Sequence, residues 1–358
     1  MKKIIKGIPL YEDGDVNCFI SHLGSIMKFH GYHEVELFFG LRWGFFYWRG
    51  NNNSPAKEEE GYRISECKSK QSLVEDLSRF YGITWKWRRA LNAEKAWSVA
   101  KKSLDNNEPL IISVDLYYLG YSNQYQRGHG GHVVILYGYD EEKDKAYIID
   151  WSPPTFFKGG VSIKTLKQAR NSLNPKDPND LNQTSGYPIK NRWLDIKLSS
   201  RRIESDDNLI KKIILENIEA MLEDKGKKDY FQGIKGIRTF AEDILEWISY
   251  DDKGLLIAEM EKSFLYLWGI KGQRTLHFQF LSTISKRLEK PELGKISEEL
   301  TKIFQSWKVV RMMFLKGSKK EPEAMLPRIR TRLLDIADRE EKILLNLKDI
   351  IFSSQKRA

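Results

Sequence analysis

Apolar positions along this chain recur at helical spacing, switch to alternating and continuous runs, then return to helical spacing. These switches predict its elements. From Cys18 to His30, the residues Phe19, Ile20, Leu23, Ile26 and Met27 form one apolar helical face. Asp15 and Asn17 upstream are N-cap types, and Gly31 suits a C-cap. Residues 1–17 are expected to be a strand or extended arm with a turn at Asp13-Gly14. The aromatic run Val35–Trp48 predicts a short helix and then a strand, serving as core and cleft wall. Asn51–Glu60 is expected to be an exposed loop. Gln71–Tyr81 predicts an amphipathic helix with Leu73, Leu77 and Phe80 inward, and Ile83–Trp87 alternates as a strand. Ala93–Leu104 predicts a further helix capped by Asn92.

Beyond that helix the period changes. Pro109–Val114, His132–Tyr139 and Lys145–Asp150 predict buried strands, the last two joined by a turn at Asp140–Asp144. Residues 171–192 predict a long loop, and Trp193–Lys197 a last strand. Strand periodicity ends there. Helical periodicity occupies 209–223, 236–248, 255–267, 275–288, 292–316 and 323–351. The fold class expected is α+β: an N-terminal helix with an antiparallel sheet over residues 1–200, then an all-α domain over 201–358.

Composition narrows the class. The 358 residues are 41% hydrophobic and 30% charged, as in an ordinary globular chain. No apolar run approaches the roughly 18 residues that span a membrane. The basic N-terminus has no long apolar segment, so no signal peptide is expected and the cytoplasm is the expected compartment. Two cysteines, Cys18 and Cys67, cannot make a disulfide framework. The net charge of +10 comes from scattered lysines, without zinc-finger spacing, an RNA-binding signature or a Walker loop. Nucleic acid is therefore not an expected partner. An acidic protein and a plain solvated surface both fit this charge.

Candidate chemistry begins at Cys18. The first turn of a helix favours a thiolate, although a lone cysteine is also a common packing residue. A thiol nucleophile needs a base, and the base an orienting group. Of six histidines, His22 and His30 are expected to face neighbouring elements and His33 to lie in a turn. His132 follows the Gly128–Gly131 loop and opens a buried strand. The start of that strand lies near the end of the next, so Asp150 is expected beside His132, fixing its tautomer. The Cys18 N–H and the Asn17 side chain are candidate donors to an oxyanion. Asp115 and Tyr118 follow the strand expected beside His132 and either face a bound substrate or are a turn aspartate and a buried tyrosine. Cys67 is expected to be incidental. No metal site is expected.

Cysteine early on a helix, histidine opening a strand and Asp after the hairpin is the order of papain-like enzymes. Three stretches also resemble the N-terminal domain of the butirosin biosynthesis protein H family. They are the Cys18 helix through Gly31 to Phe39-Gly40, Pro109–Tyr121, and His132–Asp140 with Tyr147–Asp150. Phe231–Arg238 and Gly272–Leu281 resemble the helical domain that accompanies it. The resemblance implies a papain-like acyltransferase. An acyl or aminoacyl group would pass from a carrier-protein thioester to Cys18 and on to a small-molecule amine, with His132 and Asp150 as partners. Phosphopantetheine would arrive on the acyl or peptidyl carrier protein, and no permanent cofactor is implied. Arg274 could meet its phosphate, although Arg274 and His277 are first expected in an inter-domain salt bridge or on the surface. Two rivals stand beside this reading: a cysteine peptidase or amidase using the same three residues, and a non-catalytic binding module retaining the fold.

Overall fold

A computed structural model describes residues 1–11, 16–49, 64–66, 72–152, 155–180, 183–198, 207–223 and 229–353. The expected turn at Asp13-Gly14, the Asp15 cap, the 51–60 loop and Cys67 lie outside these residues. In chain order, β1 (Lys2–Ile4) is followed by α1 (Cys18–Phe29), α2 (Glu36–Phe39), β2 (Phe46–Trp48), β3 (Ile64–Ser65) and α3 (Ser72–Tyr81). Next come β4 (Thr84–Arg89), α4 (Ala93–Asp105), β5 (Leu110–Asp115), a 3-10 turn (Leu116–Tyr118), β6 (Gly131–Asp140) and β7 (Lys145–Ser152). Then follow β8 (Thr155–Ser162), α5 (Ile163–Asn171), β9 (Arg192–Lys197), α6 (Asp207–Leu222), β10 (Tyr230–Gln232) and α7 (Gly233–Asp243). A 3-10 helix (Ile244–Ser249), α8 (Lys253–Arg287), α9 (Pro291–Lys319) and α10 (Pro322–Ser353) complete the order. The fold is α+β, with an antiparallel sheet in the N-terminal part and a helical C-terminal part. Among the described residues no helix is long and apolar enough to cross a membrane.

The chain forms two compact units. The first is Met1–Val35 with Gly82–Ser200, and the second is Glu36–Tyr81 with Arg201–Ala358. This corrects the expected contiguous division: residues 36–81 join the second unit instead of the first.

In the first unit the strand order is β4-β9-β5-β6-β7-β8, with β1 added on β6. Every pair is antiparallel. The expected last strand, β9, lies inside the sheet between β4 and β5. β8 and α5 were not anticipated. Gly159 and Gly160 interrupt the strand pattern of β8, yet it pairs with β7 from Lys145↔Ser162 to Ser152↔Thr155. The cost of those glycines is met by the ladder.

Helix α1 buries Ile20, Leu23, Ile26 and Met27 as its periodicity requires. Its buried polar residues are satisfied: Ser21 Oγ donates to the Trp151 carbonyl at 2.7 Å, and Ser25 Oγ accepts from Tyr11 N–H at 2.9 Å. Gly24 faces the Tyr11 ring so closely that a Cβ would lie 2.7 Å from it. Tyr11 thus packs directly on the helix.

The second unit carries α2, α3, α6–α10 and a small sheet of order β10-β2-β3. The predicted helices over 255–267 and 275–288 are one helix, α8. Gly269 and Gly272 suggest a break, but a helical glycine costs only about 1 kcal/mol, and buried residues from Leu256 to Ile284 hold both halves.

The aromatic run after α2 supplies this unit's own core: Trp43, Phe45, Phe46 and Tyr47 are buried. At its centre lies Glu340, with no exposed surface. Its Oε1 accepts from Arg274 Nε at 2.9 Å and Trp307 Nε1 at 2.8 Å. Its Oε2 accepts from Arg274 Nη2 at 2.8 Å and Trp43 Nε1 at 3.0 Å. Arg274 is therefore neither a surface residue nor open to a phosphate. His277, also buried, donates from Nδ1 to the Gly40 carbonyl at 2.7 Å. Burial pushes its pKa down to about 4. Both residues serve the interior of one unit.

Removing one member of a buried ion pair leaves an uncompensated charge, which costs about 3–5 kcal/mol. Glu340→Gln should destabilise the second unit by about that amount. Arg274→Met should cost much less in the Glu340→Gln background than in the wild type. Denaturant titration followed by tryptophan fluorescence checks both. Additive losses would show that the two groups act independently.

Candidate active site

Asn17 caps α1, its Oδ1 accepting the Ile20 N–H at 2.9 Å. Cys18 is thus the first helical residue, where backbone N–H groups have no partner within the helix. The half-buried Cys18 side chain lies where His132 and the Val133 backbone N–H both act on its sulfur.

The strand register explains how His132 reaches its carboxylate. Ile135 faces Ile149 across β6 and β7, so Val134 stands opposite Asp150, and His132 is the diagonal neighbour on the same side. His132 Nε2 meets Asp150 Oδ1 at 2.8 Å. Nδ1 is the ring nitrogen left for the sulfur. Asp150 is fully buried, and its second oxygen is occupied too: Tyr121 OH donates to Oδ2 at 3.0 Å. The Tyr121 ring stacks on Phe157 with centroids 4.0 Å apart and planes 4° apart, which fixes the hydroxyl's aim.

His22 was not foreseen as part of this arrangement. One turn after Cys18, it donates from Nδ1 to the Cys18 carbonyl. Its Nε2 accepts the Trp151 N–H at 3.2 Å and lies 4.0 Å from Asp150 Oδ1. The His22 and His132 rings meet edge to face at 6.3 Å. Burial holds the His22 pKa down, to about 4, against the pull of Asp150. A neutral ring with a fixed tautomer therefore ties the first turn of α1 to the residue after Asp150. Its i, i+4 spacing from Cys18 on a buried face was the available signal.

The electrostatics of Cys18 and His132 are coupled. Burial alone pushes the thiol up; the charge of His132, its hydrogen bond and the Val133 N–H outweigh this, so the thiol falls below its usual range. Burial alone pushes His132 down; the charge of Cys18 and the hydrogen bonds to Asp150 and Cys18 outweigh this and raise it. Each group stabilises the charged form of the other. A thiolate–imidazolium pair is the favoured state between the two pKa values.

Asp115 takes the turn role rather than facing an acceptor. It has no exposed surface. Its Oδ1 accepts from Tyr117 N–H at 3.1 Å and Gly130 N–H at 3.2 Å. Its Oδ2 is bonded to His129 Nδ1 at 2.8 Å and Ser172 Oγ at 2.6 Å. This carboxylate closes the loop that carries Tyr121. Tyr118 is half-buried with its ring edge-to-face on Tyr117 at 5.2 Å. Among the described residues no group of three or more His, Cys, Asp and Glu is placed to hold a metal ion.

Two family descriptions match the chain. Residues 17–151 match "Butirosin biosynthesis protein H, N-terminal", and residues 183–347 match "Domain of unknown function (DUF4872)". No curated protein matches it. The first match opens at Asn17 and closes at Trp151, so it contains Cys18, His22, Tyr121, His132 and Asp150.

The charge coupling has a direct readout. The pH midpoint of Cys18 alkylation by iodoacetamide, followed on the Cys18 peptide, should lie below the roughly 8.5 of a free thiol. In His132→Ala it should lie above that value, because burial and the Asp150 charge are then opposed by the Val133 N–H alone. At pH 6.5 the variant should react at least about tenfold more slowly. Coincident midpoints at the free value would mean that the pair does not form.

Proposed function

This chain belongs to the butirosin biosynthesis protein H-like family, and from that premise we propose that it is a cysteine-dependent acyltransferase that forms an amide. Membership ties it to butirosin-related biosynthesis and points to a biosynthetic enzyme. The observation that carries the finer reading is the hydrogen-bonded series Cys18, His132 and Asp150, which lies wholly inside the family match.

In this mechanism the Cys18 thiolate attacks the carbonyl of an acyl thioester on a carrier protein. A C–S bond forms and the oxygen becomes an oxyanion. The Cys18 N–H and the Asn17 amide, whose Oδ1 is already engaged in capping, are the donors assigned to it. Collapse breaks the bond to the carrier sulfur, which leaves with the proton of the His132 imidazolium. The acyl group is then on Cys18, and His132 is neutral. An amine attacks this new thioester and gives up a proton to His132 as the C–N bond forms and the thiolate departs. Asp150 holds the imidazole and stabilises its charged form throughout. Tyr118, half-buried beside Tyr117, is assigned to the acceptor side.

Thioester exchange between two thiols is nearly isoenergetic, so the acyl-enzyme keeps the energy needed for an amide. Water in place of the amine gives the hydrolase, the second reading on the same residues. Wild-type protein incubated with acyl-carrier thioester and no amine should gain the acyl mass on the Cys18 peptide. Cys18→Ser should accumulate no acyl-enzyme and His132→Ala should slow both half-reactions. Asp150→Asn should be milder, since an amide can still orient the ring. Amide turnover without an adduct, with Cys18→Ser still active, would reject the covalent route. Rapid loss of the adduct to water, unaffected by amines, would favour the hydrolase.

A further inference from the structure

The residue after Cys18 leads to an arginine pair with no carboxylate partner among the described residues. The Phe19 ring sits 5.6 Å from that of Trp85 and 6.2 Å from that of Trp87. Trp87 is 40% exposed, and the Arg192 guanidinium lies over its ring at 5.9 Å. Arg89 stands directly opposite Arg192 in the β4–β9 register. Trp85, Trp87 and Arg89 alternate on one side of β4, so an aromatic path runs from Phe19, the residue after Cys18, over Trp85 and Trp87 to Arg192 and Arg89.

Like charges directly opposite one another in an antiparallel pair are unfavourable. Among the described residues neither arginine has a carboxylate partner. On the other side of β4, Arg88 is matched by Asp195 at 2.9 Å. Arg192 is half-buried and makes one hydrogen bond, from Nε to the Ile189 carbonyl at 3.0 Å. Burial lowers its pKa, as expected of a cation held without a counter-ion. Arg170 also lacks a carboxylate, but it is sealed at 2% exposure and offers a ligand no entry. Arg89 is exposed and Arg192 is accessible beside it.

We propose that Arg89 and Arg192 bind the phosphate of a 4′-phosphopantetheine arm whose pantetheine portion lies along Trp87, Trp85 and Phe19 towards Cys18. Two guanidinium groups suit a phosphate dianion, each able to donate through paired N–H groups. The arm has about thirteen bonds between phosphorus and sulfur; with three backbone-like bonds spanning about 3.3–3.6 Å, it reaches about 15 Å. The steps from Phe19 to Trp87 and from Trp87 to Arg192, 6.2 Å and 5.9 Å, together use most of that reach. The choice of this arm, and not another phosphorylated ligand, rests on the acyltransferase reading; the anion site itself does not.

The test is equilibrium binding by calorimetry to the reduced full-length chain, with 4′-phosphopantetheine, pantetheine and inorganic phosphate as separate ligands. The phosphorylated arm should bind about ten- to a hundredfold more tightly than pantetheine, the range of one to two charge-assisted contacts. Arg89→Gln with Arg192→Gln should erase that preference while leaving pantetheine binding unchanged. Arg89→Glu alone, at an exposed position, should weaken only the phosphorylated arm and guards against misfolding of the double variant. Equal affinity of the wild type for both arms would overturn the proposal, as would a preference that survives the double substitution. Inorganic phosphate binding as tightly as the arm would mark an adventitious anion site only and would also overturn it. None of these readouts needs acyl transfer, so a missing Cys18 adduct and a missing phosphate preference are separate failures.

Discussion

A carboxylate removed from water needs donors on both oxygens, and the first unit is arranged around meeting that need at Asp150. His132 meets one oxygen and Tyr121 the other. An ion pair at the same place without Tyr121 would leave a buried acceptor open, a cost of about 1–3 kcal/mol. The requirement reaches far along the chain. Tyr121 rides on a loop that Asp115 closes with four bonds, drawing on Tyr117, His129, Gly130 and Ser172. A second buried carboxylate therefore sets the aim of the first. Asp115 bears on Asp150 through the placement of Tyr121 alone.

The cysteine is fixed by a different device. A helix N-terminus alone gives Cys18 a favourable potential but no registry with β7. His22 supplies registry by bonding the Cys18 carbonyl on one side and the Trp151 amide on the other. Ser21 adds a second tie to the Trp151 carbonyl. Both backbone groups of Trp151 are thus taken by α1. Since Trp151 follows Asp150, moving α1 along its axis would strain the carboxylate and the thiol together. Keeping His22 neutral matters here, because a charged ring beside His132 would oppose the imidazolium that the thiolate needs.

The parts legible in the sequence were those governed by short-range periodicity. The extent of α1, its cap at Asn17, the cap of α4 at Asn92, and the β6–β7 hairpin all follow from local residue pattern and turn chemistry. The His132–Asp150 pair was legible for the same reason, since a hairpin brings its strand ends together. What escaped was decided by pairing over distance. β8 is weak by composition and exists because β7 offers it a full ladder. Residues 36–81 look like a continuation of the first unit, yet their aromatic side chains complete the core of the second. The Asp115 carboxylate looked available until its four donors, three of them after residue 128, were in place.

Arginine shows the same limit in sharper form. Arg274 and Arg192 are indistinguishable as residue types, and a net charge counts them alike. Burial inside four-donor contact with Glu340 makes Arg274 a framework residue whose charge is neutralised on the spot. Arg192, held over an indole and opposite another arginine, keeps its charge with nothing described to neutralise it. Stability alone does not favour that second arrangement, since an apolar residue on Trp87 would bury as well without the repulsion. The difference between the two arginines is therefore one of surroundings: facing guanidinium groups beside an exposed indole repel each other, and a bound anion is what would relieve that repulsion.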